Sequence, residues 1–190
     1  MIDLLKIDDF LDADACALLL AELRQAVGAP ATLLGRTGAD AVQPMVRRTT
    51  RAALPPATRE RLLALLLARK DAIGRHFGVR LETCEEPQFL RYGPGDFFVA
   101  HQDGNTPLVY DDSRFRRVSA IIFLSTSSSE PLASAYGGGL LTFHDPVPGS
   151  SARLPLAPPP GTLVCFRAET THEVTPVTHG ERFTVVSWYR

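Results

Sequence analysis

The chain has 190 residues, 45% apolar and 22% charged, with a formal net charge of -1 at pH 7. That composition suits one soluble globular domain with its own core, and the near-zero charge gives no electrostatic pull towards nucleic acid or a membrane surface. The opening MIDLLKIDDFLD lacks a basic region followed by a long apolar one, so no secretory leader is expected. The longest apolar run, residues 62–68, is too short to span a bilayer. Cys16, Cys84 and Cys165 are scattered without a CxxC pair, which predicts free thiols in a reducing cytoplasm.

In chain order, MIDLLKI reads as a short strand. DADACALLLAELRQAVG predicts a helix with Asp12 as N-cap, a stripe of Ala15, Leu18, Leu19, Leu23 and Ala26, and Gly28 as its stop. LLGRTGADAVQPMVRRTTRAA has no clean period and several turn residues, and is expected to form one or two short strands around a mobile loop. A second helix follows in PPATRERLLALLLARKDAIGRHFG, with Pro55 and Pro56 ahead of it, a Leu62, Leu63, Leu66, Ile73 stripe and Gly78 at its close. From residue 83 the pattern becomes PQFLRY, DFFVAHQ, RVSAIIFLS, GGLLTFH, ARLPLA, GTLVCF, HEVTPV and RFTVVSWYR, seven or eight strands with turn residues between them. The expected fold class is α+β: a jelly-roll-like barrel with the N-terminal helices packed on one outer face. The expected division is helical support and a lid over 1–82, with the barrel over 83–190.

Five histidines carry the chemistry. Two stand in His-x-acid pairs, His101-Gln102-Asp103 and His179-Gly180-Glu181, and such a pair alone is weak. In an extended segment residues i and i+2 share a face, so His101 and Asp103 can both point into a barrel. Gly180 suggests that the second pair is a solvated turn. For a third ligand, His76 sits near a helix end that favours histidine anyway, His144 ends a strand and stays open, and His172 begins one. Arg182 follows ten residues after His172, and a hairpin would set the two on neighbouring strands. An inward guanidinium is costly without an anion, so an inward Arg182 implies a bound carboxylate.

YGPGDFFVAHQDGN, RRVSAIIFLS, GGGLLTFHD and PPGTLVCFRAETTHEVTPVTHGERFTVVSWY together resemble the catalytic domain of iron(II)/2-oxoglutarate-dependent dioxygenases. The likeness is greatest to the prolyl 4-hydroxylases and their Egl-9-like oxygen-sensing branch. The resemblance covers residues 84–190 well and implies a single such domain over 1–190 with a double-stranded β-helix. It assigns Fe(II) to His101, Asp103 and His172, and the far carboxylate of 2-oxoglutarate to Arg182. Tyr92 would line that pocket, Thr184 could reach the same carboxylate, and Trp188 would lie near the site or in the core. Gly137 to Gly139 match a glycine-rich approach to a barrel strand. The implied cofactors are Fe(2+), 2-oxoglutarate and O2, with ascorbate as an optional addition.

The implied activity is hydroxylation of a C–H bond with release of succinate and CO2. No side chain is nominated as a catalytic acid or base. A prolyl or other residue of a protein or peptide is the first substrate class, and a free amino acid or small metabolite the alternative. A cupin-like metal-binding barrel without oxygen chemistry is the third reading. Neither nucleic acid nor a membrane is an expected partner. Two features depart from the relatives: Phe123 stands where the Egl-9-like branch has a tyrosine, and Arg182 where collagen-type enzymes have lysine. Residues 36–52 could form a lid whose Arg47 and Arg48 meet an acidic substrate. Arg91, Arg114, Arg116 and Arg117 could close the pocket on a small one.

Overall fold

The computed structural model describes residues 2–34, 40–106, 111–147 and 149–190. Its first half contains β1 (Leu4–Ile7), α1 (Ala13–Gln25), β2 (Gly28–Pro30), β3 (Leu33–Leu34), β4 (Asp40–Ala41), β5 (Arg47–Arg48), β6 (Thr50–Ala52) and α2 (Pro56–Phe77). The second half contains β7 (Gln88–Tyr92), β8 (Phe97–His101), β9 (Val118–Phe123), β10 (Thr126–Ser127), β11 (Ala135–Gly138) and β12 (Leu141–His144). It ends with β13 (Arg153–Leu156), β14 (Leu163–Arg167), β15 (His172–Val174), β16 (Val177–His179) and β17 (Arg182–Tyr189).

Two sheets face each other. The larger runs β1-β14-β9-β17-β7-β6-β2 and the smaller β13-β12-β15-β8-β5. The jelly roll is therefore an open pair of sheets: among the described residues no ladder closes them into a barrel. Proline marks two of the edges, Pro30 in β2 and Pro155 in β13, where a residue that cannot donate to a ladder does least harm. The strand period of two divides the larger sheet between two cores. Phe183, Val185 and Tyr189 of β17 join Leu19, Leu23, Leu62, Leu66, Ile73 and Phe77 of the helices. Val186 and Trp188 turn the other way and meet Phe143, Phe166 and Val174. Both helices thus lie on the outer face of the larger sheet, and the smaller sheet covers its inner face.

Local details match expectation at the Asp12 cap and at Gly78 and depart from it between them. Asp12 caps α1, accepting from the Ala15 amide at 2.7 Å. The helix stops at Gln25, before Gly28, which instead starts β2 because a Cβ there would stand 2.2 Å from Thr50 Cγ2. Its buried stripe is Cys16, Leu19 and Leu23, whereas Leu18 is 59% exposed. Gly78 does close α2, in the left-handed conformation. Residues 1–82 also supply strands: β1 pairs with β14, β6 with β7 and β5 with β8. Arg47 and Arg48 therefore occupy a paired edge strand, while residues 36–39 of the expected lid lie outside the described residues. HEVTPV, expected as one strand, is split at Pro176, with β15 in the smaller sheet and β16 paired to β11.

Candidate active site

β8 and β15 are antiparallel neighbours, with His101 directly opposite His172. Two residues beyond His101 the chain is hooked by the Asp103 amide, which donates to the Ala168 carbonyl at 2.9 Å. The Asp103 carboxylate is thereby brought between the two imidazoles. Its Oδ1 lies 3.5 Å from His101 Nε2 and its Oδ2 lies 3.6 Å from His172 Nε2. One ligand atom from each of the three residues lies within 4.8 Å of the others. Each histidine has its Nδ1 against a carbonyl on its own segment, Val99 at 2.8 Å and Thr170 at 2.9 Å. A carbonyl only accepts, so each Nδ1 carries a proton, and each Nε2, turned towards Asp103, is the nitrogen left for a metal.

Burial alone would raise the Asp103 carboxyl. The charges of His172 and His101 and hydrogen bonds from His101 and Ser119 outweigh it and hold the group far below the usual carboxylate range. Burial and the neighbouring His101 push His172 down to about 4, against the attraction of Asp103. At neutral pH the cluster therefore offers one carboxylate and an unprotonated His172. Two histidines and one carboxylate on one side of a site fit a divalent first-row ion and leave its other positions free. Phe98 stacks on His101 at 3.5 Å between centroids, and Phe166 meets His172 edge-on at 4.7 Å.

Behind the triad stand Ser119 and Glu85, which the sequence reading missed, and Arg116, which it placed at a pocket mouth. Ser119 Oγ donates to Asp103 Oδ2 at 2.7 Å. Arg116 grips Glu85 with two bonds of 2.8 Å, donates to the Asp103 carbonyl at 3.2 Å, and lies 3.7 Å from the Trp188 ring centroid. Ser119 had one signal in the sequence: it shares the inward period of VSAIIF with Ile121 and Phe123, where a hydroxyl is out of place unless it has a partner.

Across the interior, on the larger sheet, Arg182 is 1% exposed. It pairs in register with Tyr92, and its guanidinium lies 5.2 Å from the Tyr92 ring and 5.3 Å from Phe123. Nη1 donates to Thr184 Oγ1 at 3.3 Å, while Nε and Nη2 have no partner among the described residues. No acidic side chain among the described residues pairs with it. A buried charge in that condition demands an anion, and a fork with two free donors suits a carboxylate. The expected hairpin joining His172 to Arg182 is not formed. The change of sheet at Pro176 sets them on opposite walls, which suits a ligand reaching from one to the other.

The remaining candidates lie elsewhere. His76 Nε2 meets Asp3 at 3.0 Å, and His144 Nε2 lies 3.2 Å from Glu173. His179 packs against Gly137, where a Cβ would stand 2.1 Å from its ring, so it is a strand residue rather than a solvated turn; Glu181 is exposed. Trp188 is buried on the inner face under Arg116. Of the arginines named for closing a pocket, Arg91 lies 3.9 Å from Glu181, Arg114 stacks on Phe115, Arg116 holds Glu85 and Arg117 bonds Asn105.

Residues 87–190 match the 2OG-Fe(II) oxygenase superfamily. The chain belongs to that superfamily. This oxygenase is 34% identical over 188 residues to a PKHD-type hydroxylase of Klebsiella pneumoniae (strain 342), covering 96% of the chain and 76% of the relative. A PKHD-type hydroxylase of Burkholderia ambifaria is 38% identical over 127 residues, covering 64% of the chain. The chain spans 52% of that relative's length and 65% of that of another, from Hyphomonas neptunium. Among solved structures, a Pseudomonas putida prolyl-4-hydroxylase superposes with a TM-score of 0.74 at 25% identity, covering 100% of this chain and 93% of the other. A Trichoplax adhaerens prolyl hydroxylase in complex with a hypoxia inducible factor oxygen degradation domain peptide fragment gives 0.72 at 17%, covering 100% and 84%, a likeness of fold. The superfamily's chemistry uses Fe(II), 2-oxoglutarate and O2, and the donors described above fit the first two. No helix among the described residues is long and apolar enough to cross a membrane.

Proposed function

We propose that this chain is a 2-oxoglutarate-dependent hydroxylase acting on a prolyl or other residue of a protein or peptide, and that residues 1–190 work as one domain. The observation that carries the reading is the partnerless, buried Arg182 facing a His–Asp–His cluster across one interior. His101, Asp103 and His172 would hold Fe(II). When bound, iron and 2-oxoglutarate supply oxygen activation, coupled to release of succinate and CO2, that places a hydroxyl on an unactivated C–H bond. The chain's own residues bind and orient. Arg182 fixes the far carboxylate, Thr184 steadies the guanidinium, and Tyr92 forms a wall beside it. Phe98 and Phe166 keep water from the iron's protein side, and Trp188 lines the inner face. None of these groups has to move a proton.

A polypeptide substrate is favoured over a small metabolite because the arginines that might have closed the pocket are engaged elsewhere. The solved relative that holds a peptide supports the same choice. Ascorbate as an accessory reductant, and a cytoplasmic setting in keeping with three free thiols, complete the proposal. The test is succinate release by anaerobically Fe(II)-loaded protein in air, with and without a panel of prolyl peptides and free amino acids. Stimulation by a peptide is the expected result. His101→Ala should lose both Fe(II) binding and turnover with an unchanged circular dichroism spectrum. Full activity in that variant would refute the assignment.

A further inference from the structure

We propose that Tyr136 is a binding residue for the far carboxylate of 2-oxoglutarate, its hydroxyl donating to the same anion that the Arg182 fork holds. This rests on the reading of Arg182 as the cosubstrate's anchor. Tyr136 lies in β11 with none of its surface exposed, and its hydroxyl has no hydrogen-bond partner among the described residues. A tyrosine enters an interior at the cost of stripping water from its hydroxyl, and normally recovers that cost through a partner. Phenylalanine would fill the same space without it.

Gly139 shows which way the side chain runs. A Cβ at Gly139 would stand 3.0 Å from Arg182 Cδ and 3.3 Å from Tyr136 Cε2, so both side chains converge on the space this glycine leaves. Its φ of +55° is one that a residue with a side chain seldom adopts, and the gap is thus built into the backbone. These two side chains carry three buried donors without partners among the described residues: Nε and Nη2 of Arg182 and the Tyr136 hydroxyl. Phe123, 5.3 Å from the guanidinium, has no polar atom to offer them. One carboxylate satisfies all three, taking the guanidinium fork along one edge and the phenol on a remaining lone pair.

The test uses protein loaded with Zn(II), which cannot turn over, and reads 2-oxoglutarate affinity by calorimetry and by fluorescence of the single tryptophan, Trp188. Tyr136→Phe should weaken 2-oxoglutarate roughly 10- to 100-fold, the worth of one hydrogen bond to a charged acceptor. Pyruvate, which keeps the metal-chelating end but has no far carboxylate, should bind wild type and variant equally. That control also shows that the variant is folded. Phe123→Tyr added to Tyr136→Phe should restore part of the affinity, since it returns a hydroxyl to the same guanidinium. Unchanged 2-oxoglutarate affinity in Tyr136→Phe would overturn the proposal and leave the anchor reading standing. If wild type bound 2-oxoglutarate no more tightly than pyruvate, or if Arg182→Ala had no effect, the anchor reading itself would fall.

Discussion

Ser119 does for Asp103 what the Val99 and Thr170 carbonyls do for the two histidines: it decides which atom is left for a metal. With Oδ2 taken at 2.7 Å, Oδ1 is the freer oxygen, and a carboxylate fixed on one side favours single-atom ligation. Partners of this kind typically account for 10- to 100-fold in metal affinity. Ser119→Ala should therefore weaken Fe(II) by about 10-fold or more, read by anaerobic competition with a chromogenic chelator, while the melting temperature changes little. His101, Asp103, His172 and Arg182 could be found in the sequence because their chemistry is conspicuous and their strand period visible. Ser119 gave only the hint of a hydroxyl in an inward apolar period and Tyr136 none, since a hydroxyl on an apolar strand acquires meaning only from neighbours distant in sequence. Arg116 was noticed, but as a free pocket charge. Only the fold reveals that Glu85, 31 residues earlier, already holds it.

Among the elements, β17 carries the most. One of its faces bears Arg182, Thr184 and Trp188, and the other seals the helical core. The Tyr189 hydroxyl donates to the Leu66 carbonyl of α2 at 2.8 Å, buried, pinning the helix behind the strand that carries Arg182. Tyr189→Phe removes a donor from a carbonyl that keeps its helical bond, so the cost should be about 1 kcal/mol. In a chain of this size that lowers the melting temperature by roughly 2–4 °C, and 2-oxoglutarate affinity should stay as in wild type. Both helices were legible from period, cap and closing glycine. The C-terminal end of α1 and the division of HEVTPV were not. Gly28 is required by Thr50 across a strand pair, and Pro176 ends a ladder whose partner strands lie far back in the sequence. Short-range pattern contains neither fact.

At the scale of the molecule, the triad lies at one wall and Arg182 at the other, so on the proposed reading metal and cosubstrate together would tie the two sheets. Ligands that bind only the folded state stabilise it by about 2.7 kcal/mol at a hundredfold excess over Kd. Adding 2-oxoglutarate to Zn(II)-loaded protein should raise the melting temperature by roughly 5–10 °C at that excess, and a chelator should abolish the gain. The same addition to Arg182→Ala should give little. The helices-then-strands order announced the class of fold. The open edges and the strands lent by residues 1–82 depend on pairings between distant segments, which alternation in a single chain does not report. The opposition of the two walls also makes the interior a gauge of length. Phe123, Phe143 and Phe166 are packed between the walls, and on the proposed reading a diacid one carbon shorter would reach the metal or the guanidinium but not both. On the proposed reading of Arg182, the spacing of the two sheets acts with the residues that touch the 2-oxo acid in selecting it.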